Sequence, residues 1–270
     1  MSDRPRIAII AAAGRGTRFL DARPKVLADI AGRPALARVA DTVEAALGEH
    51  RQLIVVGHRG AEVQAALGAA EHRCYVNQAE PRGTGDALRR ALDVVDHEDA
   101  DVYFLCGDKP LLRADTLAAL RHRFAHGDLA MAFLTGRIDG DPADSRQGRV
   151  VMTADGEALG IVERKVIDAL EGELTLRDAA GRSHRFTRAE LLAIEHVNVS
   201  TYVWRLEPLR RLSAALSDGN AAGELLVTDL VALFNAAGLA VGAMPLRDAR
   251  EGLGVDTVEQ WREVEAQWVG

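Results

Sequence analysis

The sequence predicts an α/β fold: a mixed, mainly parallel sheet with helices on both faces. Three observations carry that expectation. Short apolar runs alternate with stretches of helical spacing through the first half of the chain, the order of βαβ units. The first run, Ile7–Ala13, is continuously apolar, as in a strand buried on both faces. Gly14, Gln78, the Gly83 turn and Asp108 all fall at the carboxyl ends of predicted strands, where ligands bind in such sheets.

The elements follow in order. After the Gly14 loop, Gly32-Arg33-Pro34 marks a helix start with Pro34 near its first position, and Leu36, Val39, Ala40, Val43 and Leu47 repeat at helical spacing. Gln52–Gly57 reads as a strand, Ala61–Leu67 as a helix and His72–Asn77 as a third strand. Gly83-Thr84-Gly85 opens a helix running through Leu88, Ala91, Leu92 and Val95, with its N–H groups toward the ligand side. Asp101–Cys106 is the fourth strand, and a helix spans Ala114–His126. From Gly136 the texture changes: a polar loop at Gly140–Gly148, strands at Arg149–Thr153 and Leu159–Glu163, then Lys165–Glu195 with no strong period. That stretch reads as an insertion, a hairpin plus a short helix. Val197–Trp204 is a strand, Pro208–Leu216 and Glu224–Ala237 are helices, Leu239–Pro245 and Gly252–Val255 are strands, and Val258–Val269 is a terminal helix.

Composition bounds the function. The chain has 270 residues, 48% hydrophobic and 27% charged, enough for one large domain with a lobe. Its net charge of −7 disfavours nucleic acid or acidic membranes as partners and leaves small molecules. Any polyphosphate site must therefore be a local basic pocket. Cys74 and Cys106 read as buried free thiols of a reducing compartment. The opening MSDRPR carries no signal-peptide pattern, and no apolar run approaches the ~20 residues of a membrane span. Together these give a cytoplasmic expectation.

The stretch AAAGRGTR…PKVL, from Ala11 to Leu27, is the most informative. Glycines after a buried strand expose several N–H groups and let the backbone approach a ligand. Ala12 and Ala13 leave room at the strand end. Arg18 and Lys25 add a fork-shaped guanidinium and a point-charge ammonium, with Pro24 stiffening the approach to Lys25, a combination suited to a polyphosphate. A tight strand–helix turn with two solvated cations is the plainer reading. It is not a Walker loop, since RGTRF follows Gly14, nor a dinucleotide fingerprint, since position 19 is Phe. In QAEPRGTGDA, the Gln78 amide could read a pyrimidine through donor and acceptor groups. In CGDKP, Asp108 is placed to hold Mg²⁺, a hard cation that prefers oxygen ligands, or else to cap a turn. His122 and His126 share a helix face, but Arg123 rules out a zinc-protease motif. Trp204, Trp261 and Trp268 read as packing residues.

Taken together, these motifs resemble those of the sugar-1-phosphate nucleotidyltransferases, most closely the N-acetylglucosamine-1-phosphate uridylyltransferase (pyrophosphorylase) domains of bifunctional enzymes. The resemblance runs from Ile7 to about Gln260 with motifs in the right order. It implies a Rossmann-like, GT-A-like fold with a smaller sugar-binding lobe: a single domain over 1–270, with a nucleotide half at 1–135, a sugar half at 136–270 and an insertion near 165–195. It implies a nucleotide site at Ala12, Ala13, Gly14, Gly16, Thr17, Gln78, Gly83 and Thr84, with Arg18 and Lys25 on the phosphates. Asp108 and Asp256 would hold Mg²⁺, and Gly148, Glu163, Asn198 and Thr228 the sugar. The implied reaction joins UTP to a sugar-1-phosphate and releases pyrophosphate. With the chain ending at Gly270, the acetyltransferase that follows in bifunctional relatives is expected to be absent.

The departures fall mainly on the acceptor side. Asp86 replaces a usual histidine and Asp256 a usual asparagine. Gln147, Val166, Val199 and Ser200 differ from the N-acetylglucosamine pattern, and the insertion is long. The alternatives are cytidylyl or other nucleotidyl transfer to a different phosphate acceptor, and a non-catalytic nucleotide-sugar-binding regulator.

Overall fold

The computed structural model describes residues 4–14, 16, 23–221 and 223–268. In chain order the elements are β1 (Arg6–Ala12), a small hairpin of β2 (Asp29–Ile30) and β3 (Arg33–Pro34), α1 (Ala35–Leu47), β4 (Arg51–Val56), α2 (Gly60–Leu67), β5 (Arg73–Asn77) and α3 (Thr84–Leu92). Then come β6 (Asp101–Cys106), α4 (Ala114–His126), β7 (Met131–Arg137), β8 (Arg149–Met152) and β9 (Ala158–Val162). The insertion contains α5 (Arg164–Asp168), the hairpin β10 (Glu173–Arg177) and β11 (Ser183–Thr187), and α6 (Arg188–Ala193). The chain closes with β12 (His196–Arg205), α7 (Leu206–Ser213), α8 (Leu230–Ala236), β13 (Val241–Pro245) and α9 (Val258–Gln267).

The central sheet runs β13-β7-β12-β6-β1-β4-β5, with β8 and β9 attached through β12. Neighbours β6, β1, β4 and β5 are parallel, as are β13 and β7. Strand β12 runs antiparallel to β6, β7 and β8, which makes the sheet mixed. Alternation along β1 explains its continuous apolar run. Ile7 and Ile9 pack with α3, α7 and α8 on one face, and Ala8, Ile10 and Ala12 with α1 and α4 on the other.

Several expectations are corrected. Strand β7 was not predicted; it is buried along six of its seven residues and crosses position 135–136. Pro34 is not inside α1 but ends β3 and precedes the helix. Helix α3 stops at Leu92, short of Val95. The insertion carries two short helices around its hairpin rather than one. Glu224–Ala237 is helical only from Leu230, after a 3-10 turn at Val227–Asp229. The 224–226 backbone is instead drawn alongside the turn before α3, where Leu225 N–H donates to Arg82 O (2.9 Å). In place of a strand at Gly252–Val255 there is a 3-10 turn, Ala249–Gly252. Cys74 is exposed rather than buried, because β5 is an edge strand, and Cys106 is partly buried. No helix among the described residues is long and apolar enough to cross a membrane.

Candidate functional site

A cleft of about 290 Å³ opens at the carboxyl ends of β1, β5 and β6. Ala13, Gly14, Lys25, Gln78, Gly83, Thr84 and Asp108 line it, drawn from three separate motifs. Gly57 makes this convergence possible. A Cβ there would lie 2.8 Å from both Ala13 O and Gln78 O, so only glycine lets the ends of β1, β4 and β5 close together. Gly16 takes a left-handed φ of 58° and packs over the Lys25 stem. Ala12 is buried behind the cleft. Arg18 and Thr17 lie outside the described residues.

Lys25 sits between two carboxylates. Its Nζ donates to Asp108 Oδ2 and, at 2.6 Å, to Asp256 Oδ1. Burial opposes the lysine charge, but Asp108 and Asp256 outweigh it and hold the ammonium above the usual lysine value. Asp108 and Asp256 are brought together by a clasp between the segments around them. Val255 N–H donates to Asp108 O (2.9 Å) and Lys109 Nζ to Gly252 O (2.7 Å). Buried Glu251 accepts from Arg113 N–H (3.0 Å) and Thr116 Oγ1 (2.9 Å), capping α4 from outside it. Asp108 Oδ1 is buried and has no hydrogen-bond partner among the described residues. Beside it, burial pushes the Cys106 thiol up to about 12, so it stays protonated at neutral pH.

The turn before α3 differs from expectation. Gly85 N–H does not face the cleft but donates to Leu225 O (2.7 Å), and Thr84 Oγ1 accepts from Val227 N–H (3.2 Å). A Cβ on Gly83, at φ 99°, would sit 2.3 Å from Leu225 O. The glycines here serve close packing of two backbones.

A second group lies toward β8 and β9. Asn198 N–H donates to Gly148 O (3.0 Å), and a Cβ on Gly148 would lie 3.1 Å from both Glu163 carboxylate oxygens. Gly148, Glu163 and Asn198 are thus neighbours. A bulge in β12 orients Asn198: Ser200 takes φ 57°, and Asn198 Oδ1 accepts from Ser200 N–H (2.9 Å) and Tyr202 Oη (2.7 Å). Burial raises the pKa of Glu163, with the nearby Thr228 hydroxyl tempering the shift. That hydroxyl is buried and not in hydrogen-bonding geometry with any described protein group. Glu163 and Thr228 open onto a cavity of about 320 Å³, walled by Leu174 and Leu176 of the insertion hairpin and by Leu226.

Sequence reasoning missed the supports of this region. Arg149 is fully buried, and its guanidinium donates to the carbonyls of Gln147, Pro142 and Ser145, fastening the loop before Gly148. Arg164 adds bonds to Ala143 O and Ser145 O, both 2.7 Å. No motif signals a side chain that binds only carbonyls. Gly57, by contrast, was visible as a glycine ending an apolar run.

Comparison with known proteins places the chain. The MobA-like NTP transferase domain matches residues 8–195. The "Bifunctional protein GlmU" of Heliobacterium modesticaldum is 36% identical over 261 residues, covering 97% of this chain and 51% of that protein. The protein of the same name from Sorangium cellulosum is 38% identical over 258 residues, covering 93% and 49%. The chain therefore spans about half the length of these curated relatives. A nucleotidyl transferase structure from Methanothermobacter thermautotroptrophicus shares the fold, with a TM-score of 0.62 at 19% identity over 97% of this chain and 96% of that one. The chain belongs to the MobA-like NTP transferase family and is a nucleotidyltransferase.

Proposed function

We propose that the protein joins UTP to a sugar-1-phosphate and releases pyrophosphate, using Mg²⁺. The observation that carries this reading is Lys25 held between Asp108 and Asp256 at the floor of the cleft. An ammonium and two carboxylates at one point, beside a glycine loop, suit a reaction at phosphorus.

A sugar phosphate oxygen attacks the α-phosphorus; its new P–O bond forms as the bond to the β-phosphate oxygen breaks. The attacking oxygen is already ionised at neutral pH, so no general base is needed, and catalysis rests on positioning and charge neutralisation. Lys25 steadies the α-phosphate as charge builds there. Arg18, by the family resemblance, holds the departing pyrophosphate. The residues present fit a divalent cation: Asp108 Oδ1 is a buried oxygen with no protein partner, and Asp256 supplies a second carboxylate close by. Mg²⁺ bound by Asp108 and Asp256 would neutralise charge on the reacting phosphates. Lys25 engages the other Asp108 oxygen, Oδ2, which leaves Oδ1 open to the cation.

Gly148, Glu163, Asn198 and Thr228 are the proposed acceptor site, with N-acetylglucosamine-1-phosphate or a related hexose phosphate as substrate. Glu163 accepts hydrogen bonds from sugar hydroxyls, and Gly148 keeps the ring close to the backbone. The cavity of about 320 Å³ beside Glu163 and Thr228, walled largely by apolar side chains, supports an acceptor site that makes few polar demands on the sugar. The test is pyrophosphate release with UTP, CTP, ATP and GTP against glucose-, galactose- and N-acetylglucosamine-1-phosphate. Release with UTP and a sugar-1-phosphate is expected. A preference for CTP or a purine would move the protein to another nucleotidyl transfer, and nucleotide-sugar binding without release to a regulator.

A further inference from the structure

The Gln78 amide is held in one orientation by groups whose chemistry leaves no choice. Its Nε2 donates to Gly83 O at 3.1 Å and to Asp86 Oδ2 at 2.7 Å. A backbone carbonyl and a carboxylate only accept, so the NH₂ end must face them. Both amide protons are thereby used. Oε1 makes no hydrogen bond among the described residues, and Gln78 lines the cleft. Asp86 is itself fixed, because the same Oδ2 accepts from Arg90 Nε at 2.9 Å, one helical turn along α3. Gln78 and Asp86 are only 4% and 7% exposed, so water competes little for these bonds.

We propose that Asp86 is a positioning residue that sets base selectivity, by locking Gln78 so that it offers the nucleotide an acceptor and no donor. The inference rests on the nucleotidyl-transfer reading above and specifies how the base is chosen. An acceptor-only amide pairs with a base edge that carries a donor. Set against position 3 of the base, the Gln78 oxygen meets N3–H in uracil; in cytosine it meets an unprotonated N3, two acceptors face to face, the donor of that base lying at N4 instead. Without Asp86, the Gln78 amide keeps one anchor and can turn, offering Nε2–H to cytosine.

Pyrophosphate release by wild type, Asp86→Ala and Asp86→Asn, with UTP, CTP and N3-methyl-UTP, tests this. Wild type should prefer UTP over CTP at least about tenfold in kcat/KM and turn over N3-methyl-UTP at least about tenfold less well than UTP. Asp86→Ala should bring UTP and CTP within about threefold. Asp86→Asn keeps an oxygen for both Gln78 and Arg90, so it should restore the preference. Equal loss with both triphosphates in Asp86→Ala, or equal wild-type use of UTP and N3-methyl-UTP, would overturn the inference alone; the second measurement stands even where the alanine variant does not fold. Wild type that releases pyrophosphate from no triphosphate would overturn the nucleotidyl-transfer reading and this inference with it.

Discussion

The proposed nucleotide side and the proposed acceptor side of this molecule are built in different ways. At the ends of β1, β5 and β6, position is set by backbones that approach so closely that a Cβ at Gly57 or Gly83 would collide with carbonyl oxygens. Side chains there are committed: Gln78 to Gly83 and Asp86, Lys25 to Asp108 and Asp256. The proposed acceptor side joins Asn198 of the bulged β12 to a loop fastened by Arg149 and Arg164 through carbonyls, and an inserted hairpin walls it. On the proposed reading, the reaction centre is held where parallel strands end, while acceptor choice falls to loops and an insertion that can change without disturbing it.

Breaking the centre should cost most. Lys25→Ala is expected to lower kcat about a thousandfold, roughly 4 kcal/mol of transition-state stabilisation, while nucleotide affinity measured by calorimetry falls less. Wild-type kcat/KM in this variant would reduce the loop to a structural turn.

The glycines sharpen the contrast. Gly83→Ala should destabilise the fold by about 2–4 kcal/mol in urea unfolding, through strain at positive φ and the clash with Leu225 O. In Gly148→Ala the added Cβ meets a carboxylate at 3.1 Å. It should leave stability nearly unchanged and raise the acceptor KM about tenfold. Equal effects of the two on unfolding would contradict the division between the two sides.

Glu163→Gln should lower kcat/KM for the acceptor about tenfold, the loss of a charged acceptor. Its effect on stability should have the opposite sign. Burial raises the pKa of Glu163 in the folded state, so its ionisation costs the fold above that pKa, and the cost disappears below the unfolded value. The glutamine variant should therefore melt higher than wild type at neutral pH, with the gain fading as pH falls. A gain that grew in acid would show that Glu163 is not a penalised carboxylate.

The smallest effect expected is acceptor discrimination itself. N-acetylglucosamine-1-phosphate should be a poor substrate or one of several, any preference for it over glucose- and galactose-1-phosphate staying below about a hundredfold in kcat/KM, under about 2.7 kcal/mol. A larger ratio would mean that Gln147, Val166, Val199 and Ser200 leave the site selective.

The same division governs what was legible in the sequence. The parallel half could be read because each buried strand is a short apolar run ended by glycine or a polar residue, and the ligand-side residues follow directly. Strand β7 escaped because MAFLTGR ends in Gly-Arg and lies just before the polar stretch that marks the change of texture. The 224–229 segment looked helical by composition, but its backbone pairs with Arg82 and Gly85, a tertiary demand that local pattern does not carry. The meeting of Asp108 with Asp256 was inferable from the family resemblance alone; the clasp through Lys109, Glu251 and Val255 has no local signature. Gln78 could be singled out, but its orientation depends on Asp86, eight residues away across a turn.

Lys25, Asp108 and Asp256 are the proposed reacting centre. The most direct measurement is pyrophosphate release from UTP and N-acetylglucosamine-1-phosphate by wild type and Asp108→Ala over a range of Mg²⁺ concentrations, with circular dichroism confirming that both are folded. Asp108→Ala should lose about a thousandfold or more of the activity, and added Mg²⁺ should not restore it. Full Mg²⁺-dependent activity in folded Asp108→Ala would contradict that assignment.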